Sequence, residues 1–286
     1  MRAASSPPPR VVVLGGNGFV GSAVCRAALR RLGGAGAAAG DGGDGPRVAS
    51  VSRSGAPAHA EAWTESVAWH VADASDAEQL APLLPAGPRS AVISCVGAFG
   101  SNAHMERACG DVTIAAAKAA AAAGTEHFVF VSVHDFAFPE AFVRRFGYLN
   151  GKRRAEAAVK EHFPDGRGVI VRPGAVYGNR KVYPPGGGVL EVPLPWVFRP
   201  LARSLGGRAA DWRAKRRAMA GGLAPGPLAT LAELSLTAPV SVEALGESCV
   251  AAAMGDLDAE LDPAAPIVDE VRLAQFDAAA DFGRAW

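Results

Sequence analysis

Short β-branched apolar runs alternate with stretches of helical spacing from Arg10 to Arg172. The runs are Arg10–Leu14 (RVVVL), Arg47–Ser52, Val67–Val71, Ala91–Val96, His127–Val133 and Gly168–Arg172. Between them the pattern predicts helices over Phe19–Leu32, Asp76–Leu84, Ala103–Ala123 and Tyr148–His162. Strands that alternate with helices imply crossover connections, hence an α/β fold with a doubly wound parallel sheet. The Ala-rich run Ile114–Ala123 favours helix by propensity alone.

The first strand runs into LGGNGFVGSAV, which places Gly15, Gly18 and Gly21 between a strand and a helix. Glycine at the first position permits a tight turn, at the second lets backbone approach a pyrophosphate, and at the third allows close helix packing. The helix N-terminus adds free N–H groups and the positive end of its dipole. This is a Rossmann-type dinucleotide site, with Gly15, Gly16, Asn17, Gly18, Phe19, Val20 and Gly21 as its candidate residues. Cofactor choice is read at the end of the second strand, where an acid would accept hydrogen bonds from the ribose of NAD. Here Arg53 stands between Ser52 and Ser54, and a guanidinium beside hydroxyls suits a 2′-phosphate, so NADP is expected ahead of NAD.

Composition narrows the remaining classes. The chain has 286 residues, 29 Lys+Arg against 28 Asp+Glu and a net charge of +1, so no broad positive field points to nucleic acid. Cys25, Cys95, Cys109 and Cys249 are too scattered for a CxxC metal pair and too few for a disulfide scaffold, which suits a reducing compartment. The histidines show no metal-ligand spacing, and no metal is expected. No apolar run reaches the roughly 18 to 20 residues of a membrane span. Residues 1–9 read as a disordered start or a targeting remnant, and residues 33–46, rich in Gly and Ala, as a solvated loop.

Tyr148 and Lys152 lie four apart on one helix and so share a face. An ammonium near the phenol is expected to lower its pKa and also to hold the nicotinamide ribose, a pairing suited to general acid–base work.

The GxxGxxG spacing, Val96-Gly97 after the fourth strand, Tyr148 to Lys152, and Val171-Arg172-Pro173-Gly174 after the sixth resemble the extended and atypical short-chain dehydrogenase/reductases over about residues 10–180. The strings GGNGFVGSA, SVSRSG, VSVHDF, YLNGKRRAEA and VRPGAVYGNRKV look more narrowly like plant and algal organellar NAD(P)-binding proteins. More distantly they are similar to the fungal mitochondrial atypical reductase of the ubiquinone-synthesis complex. The resemblance implies that Asp73, Val96, Gly97 and Pro173 contact the cofactor, although Asp73 equally suits a cap for the helix beginning near Asp76. It implies that Ser132 polarises a substrate carbonyl, but Val133-His134-Asp135 follow where a second hydroxyl is usual. His134 either donates in its place or, with Asp135, ends the strand.

Residues 181–286 are expected to form a small substrate lid plus a late strand and helix over Pro239–Met254 that completes the same domain, followed by a solvated acidic turn, Asp256–Asp262. Pro195–Arg217 carries seven basic residues among Trp196, Phe198, Leu201, Leu205 and Trp212, a mixture that suits either an anionic lipid surface or a lid with solvated cations. Two functions fit: an NADPH-dependent oxidoreductase on a small hydrophobic organellar metabolite such as a quinone or prenyl-lipid precursor, or a non-catalytic NADPH-binding scaffold of an organellar membrane-associated complex. The resemblance places the protein in a chloroplast or a mitochondrion.

Overall fold

In the computed structural model, the described residues are 10–33, 47–136, 138–182, 190–194, 237, 239–269, 272–273 and 275–276. The expected start at residues 1–9, nearly all of the Gly/Ala loop at 33–46 and the basic segment Pro195–Arg217 lie outside them.

Seven parallel strands form the central sheet: β1 (Arg10–Leu14), β2 (Val48–Ser52), β3 (Ala68–Val71), β4 (Gly87–Ser94), β5 (Thr125–Val131), β6 (Gly168–Val171) and β10 (Ile267–Val268), in the order β10-β6-β5-β4-β1-β2-β3. β1 pairs with β2 on one side and β4 on the other, so the strand order reverses there and opens a crevice at their carboxyl ends. Side chains alternate across β1: Val11 and Val13 enter one buried cluster, Val12 and Leu14 the other. Both faces are therefore covered, as a parallel sheet requires.

Helix α1 (Phe19–Leu32) buries Ala23, Val24, Ala27 and Ala28 and ends at Gly33, whose φ of 85° favours glycine. On the same side lies α7 (Val242–Ala253), preceded by β9 (Val240–Ser241). A Cβ on Gly246 would stand 2.9 Å from the Ala23 carbonyl, so this small residue lets α7 approach α1 closely. Arg26–Glu243, Arg30–Glu247 and Arg31–Asp256 ion pairs line their seam. The strand and helix expected over Pro239–Met254 are both present.

The opposite face is covered by α2 (Ala77–Leu80), by α4 (Val112–Ala123) and by α6 (Gly147–His162). α3 (Asn102–Glu106) runs into α4 through a π turn, Arg107–Asp111, which divides the single helix expected over 103–123. A Cβ on Gly110 would lie 2.9 Å from Gly151 Cα, so two glycines bring the π turn against α6. Asn102 accepts from Gly147 N at 3.1 Å and donates to Arg145 O at 2.7 Å, pinning α3 to the start of α6. A short α5 (Glu140–Arg145) precedes α6, and β7 (Val176–Val182) pairs antiparallel with β8 (Leu190–Leu194) and parallel with β9.

The six-stranded expectation thus falls one strand short. β10 is two residues long and, among the described residues, pairs with β6 alone, too brief to show periodicity.

Candidate functional site

A cleft of about 610 Å³ opens where the sheet order reverses. Gly15, Asn17 and Gly18 line it from the turn after β1, Ser52, Arg53 and Ser54 from the end of β2, and Ala72 to Ser75 from the end of β3. Cys95, Val96 and Gly97 line it beyond β4, and His104, Arg107, Ala108 and Val112 from the helix that follows.

The glycines divide their work. Gly15 has φ +82° and turns the chain. A Cβ on Gly21 would fall 2.7 Å from the Gly15 carbonyl carbon, and one on Gly16 would run into Ser50 and Cys25, so both positions serve packing. A Cβ on Gly18 would meet within 4 Å only Gly15 O, at 3.2 Å. Gly18 therefore leaves an open cradle at the α1 N-terminus, where no side chain caps the helix and no acid sits in the first turn. That combination fits a pyrophosphate. Phe19 and Val20 are absent from the cleft lining: Val20 packs on the core, and Phe19 lies 3.4 Å from the position of a Cβ on Gly178.

Asn17 Nδ2 donates to Ser54 Oγ at 2.7 Å and to Gly55 O at 3.2 Å, tying the glycine turn to the loop that carries Arg53. Arg53 is exposed, and its charge reaches Asp73 across the cleft mouth. Asp73 accepts from Ser75 Oγ at 2.7 Å and Ser75 N at 2.9 Å, and these bonds hold its carboxyl below the usual range, with Arg53 a smaller aid. The capping reading of Asp73 is corrected: Asp76 caps α2, accepting from Glu78 N and Gln79 N.

Lys152 is buried on α6, 4% exposed, and its Nζ donates to Val131 O at 2.7 Å and Val96 O at 3.2 Å. It bridges the ends of β5 and β4 and lies 4.6 Å from the Phe130 ring centroid. Burial pushes its pKa down to about 8, opposed by Cys109, Cys95 and Glu156. A Cβ on Gly97 would be 3.5 Å from Nζ, so the ammonium lies behind the Gly97 wall of the cleft, while Lys152, Tyr148 and Ser132 themselves are absent from its lining.

Tyr148 lies one turn earlier on α6, its ring centroid 6.0 Å from Lys152 Nζ and stacked on exposed Phe99 at 4.9 Å. The expected lowering of the phenol is reversed: burial pushes it up to about 12, with Cys109 adding to the rise. Lys152 meanwhile donates its ammonium to two carbonyls. Tyr148 and Lys152 do lie on one face of α6.

Ser132 is buried and donates to Glu156 Oε1 at 2.5 Å, so its single proton faces a carboxylate. Glu156 also accepts from Arg153 at 2.8 Å and from Arg172 at 3.0 and 2.5 Å. Pro173 is buried outside the cleft lining, and its carbonyl accepts from His134 N at 2.8 Å. His134 itself is buried and packs edge-on against Phe136.

Sequence reasoning missed Ser75, His104, Arg107 and Ala108. Residues 104, 108 and 112 share one side of the helical run, but only the cleft shows that this side faces it, so the sequence carried no signal for them.

Residues 15–185 match the family model described as NAD(P)H-binding. An uncharacterized chloroplastic protein of Arabidopsis thaliana is 41% identical over 192 residues, 67% of this chain; the chain spans 57% of that relative's length. Among solved structures, a short-chain dehydrogenase/reductase family oxidoreductase from Burkholderia thailandensis superposes with a TM-score of 0.52 at 17% identity, covering 94% of both chains. The Bordetella bronchiseptica enzyme WbmF, solved with NAD+ and UDP, gives 0.50 at 17% identity, covering 94% of this chain and 74% of its own. At such identities these two share the fold. The open cradle at Gly18 and the family match over residues 15–185 lead to one conclusion: the chain belongs to the NAD(P)H-binding family.

Proposed function

We propose that the protein is an NADPH-dependent oxidoreductase acting on a small hydrophobic metabolite of an organelle, such as a quinone or prenyl-lipid precursor. The observation that carries this reading is the continuity of the cleft from the Gly18 cradle to Gly97, beside which lie buried Lys152 and, one turn away, Tyr148. Bound NADPH supplies a hydride. Arg53 and Ser54 would hold its 2′-phosphate, Gly15, Asn17 and Gly18 at the α1 N-terminus would receive the pyrophosphate, and Lys152 would direct its ammonium to the ribose while staying anchored on Val96 and Val131. Tyr148 gives the proton to the reacting oxygen; its raised pKa keeps that proton in place at neutral pH. Ser132 joins the site only by turning its proton away from Glu156. Exposed Phe99, stacked on Tyr148, supports an apolar substrate. The chloroplastic relative supports a chloroplast ahead of a mitochondrion, and no helix among the described residues is long and apolar enough to cross a membrane. Peripheral contact with anionic lipid through Pro195–Arg217 belongs to the same proposal, as does a small substrate lid within residues 181–286, the later β9 and α7 completing the same domain.

One pair of observations favours a second reading, a scaffold that keeps NADPH as a structural part of an organellar complex. The phenol is pushed up and the Ser132 proton is committed elsewhere, both poor settings for turnover. Complementation of a deletion strain separates the two. The enzyme reading expects Tyr148→Phe to fail; rescue by Tyr148→Phe, with failure of Gly18→Leu, would establish the scaffold instead.

A further inference from the structure

Two guanidinium-bearing positions flank the glycine turn, Arg53 from the β2 side and Arg107 from the β4 side. Arg53 has an evident task in the 2′-phosphate. Arg107 has none in the fold: it is exposed, it lines the cleft, and no described residue pairs with it, whereas Arg144, Arg153, Arg154 and Arg172 all meet carboxylates.

We propose that Arg107 is a second phosphate-binding cation of this cleft, directed at the pyrophosphate that NADH and NADPH have in common. The proposal rests on dinucleotide binding and not on the identity of the substrate. Three features support it. Gly15 N and Gly18 N are already bonded to Val51 O and Gly15 O, so the uncapped α1 N-terminus beyond Gly18 offers N–H groups but no full charge, while the ligand brings two phosphates to it. The one carboxylate of the lining, Asp73, belongs to the β3 side and is already bonded to Ser75, and the acids beside Arg107 in the chain have other partners, Glu106 accepting from Asn150 and Asp111 from Arg154. Finally, Arg107 opens the π turn, and that turn is fixed from behind by the Gly110–Gly151 approach and the Asn102–Gly147 bond. The helical face that carries Arg107 is thereby set toward the cleft before any ligand arrives, and π turns recur at functional sites for this kind of placement.

The test is calorimetric titration of the full chain, wild type, Arg107→Ala and Arg107→Lys, with NADPH, NADH and ADP-ribose. Arg107→Ala should lose roughly ten- to hundredfold on all three, the range for a hydrogen bond to a charged group. Arg107→Lys should recover part of it, and added salt should weaken the wild type more than Arg107→Ala. Without nucleotide both variants should melt with the wild type, because Arg107 holds no partner in the fold. A loss confined to NADPH would overturn the proposal by assigning Arg107 to the 2′-phosphate, and undiminished binding would overturn it by returning the residue to solvent. A wild type that takes up none of the three ligands would overturn the dinucleotide reading with it, a result distinguishable from both.

Discussion

Ser132 Oγ donates to Glu156 Oε1 across 2.5 Å, joining the end of β5 to the helix that carries Tyr148 and Lys152. Arg172, just past β6, grips the same carboxylate. Glu156 therefore ties α6 to two strand ends, and the two ends of the bond should respond differently. Glu156→Gln removes the carboxylate that Arg172 grips and leaves Arg153 its longer contact with Asp135 at 3.6 Å, and should cost about 3 kcal/mol in denaturant unfolding. Ser132→Ala removes one hydrogen bond, about 1 kcal/mol, and should leave kcat within severalfold. A kcat collapse in Ser132→Ala at unchanged stability would put the hydroxyl on the substrate.

Lys152 makes stability depend on pH. Its native pKa, about 8, is below its ordinary 10.5, so beneath pH 8 the fold bears the full cost of a buried ammonium. Above that, the unfolded chain keeps a proton that the native state has released, and this contribution rises with pH until about 10.5. The buried Cys25 and Cys95 thiols, pushed up by burial, act in the opposite sense above about pH 9. Unfolding at pH 7.5 to 9 should therefore show the wild type gaining relative to Lys152→Met; parallel curves would contradict the burial.

The glycine assignments separate folding from binding. Gly21→Ala drives a methyl into the Gly15 carbonyl and should cost several kcal/mol or prevent folding. Gly18→Ala has only Gly15 O at 3.2 Å to accommodate, so it should melt within a few degrees of wild type yet bind NADPH at least tenfold more weakly. Thermal melts with and without nucleotide decide this, and equal melting losses in both variants would refute the division.

Tyr148→Phe keeps the ring stacked on Phe99 and removes only the proton. If the site turns over, kcat should fall by about 10² to 10⁴ with nucleotide affinity within twofold. Because the phenol is pushed up to about 12, any alkaline loss of reductive activity near pH 8 should follow Lys152. Steady-state rates from pH 6 to 10 check the assignment.

What the chain disclosed in advance was local. β1, its glycine turn and α1 lie within 23 consecutive residues, Arg10 to Leu32, and each choice there agrees with the fold, so α1 was expected at the bounds it has. β4 was expected from Ala91 but begins at Gly87, where Arg89 takes φ 60° inside a register shift between Gly87 and Ala91 that interrupts the strand pattern. Features that depend on distant partners stayed hidden. The Ser132 proton is taken by a residue 24 positions away, and the Lys152 ammonium is shared between strand ends 56 and 21 positions away, which is why the pairing with Tyr148 looked stronger in one dimension than it is in three. Arg107 escaped notice because only the cleft shows which helical face it occupies.

The central claim, that this cleft takes NADPH by way of Arg53, is tested most directly by calorimetric titration of wild type and Arg53→Ala with NADPH and with NADH. The account predicts tighter wild-type binding of NADPH, a loss of about 1.5 to 3 kcal/mol with NADPH in Arg53→Ala, and little change with NADH. Equal losses with both nucleotides, or a wild type that prefers NADH, would contradict it.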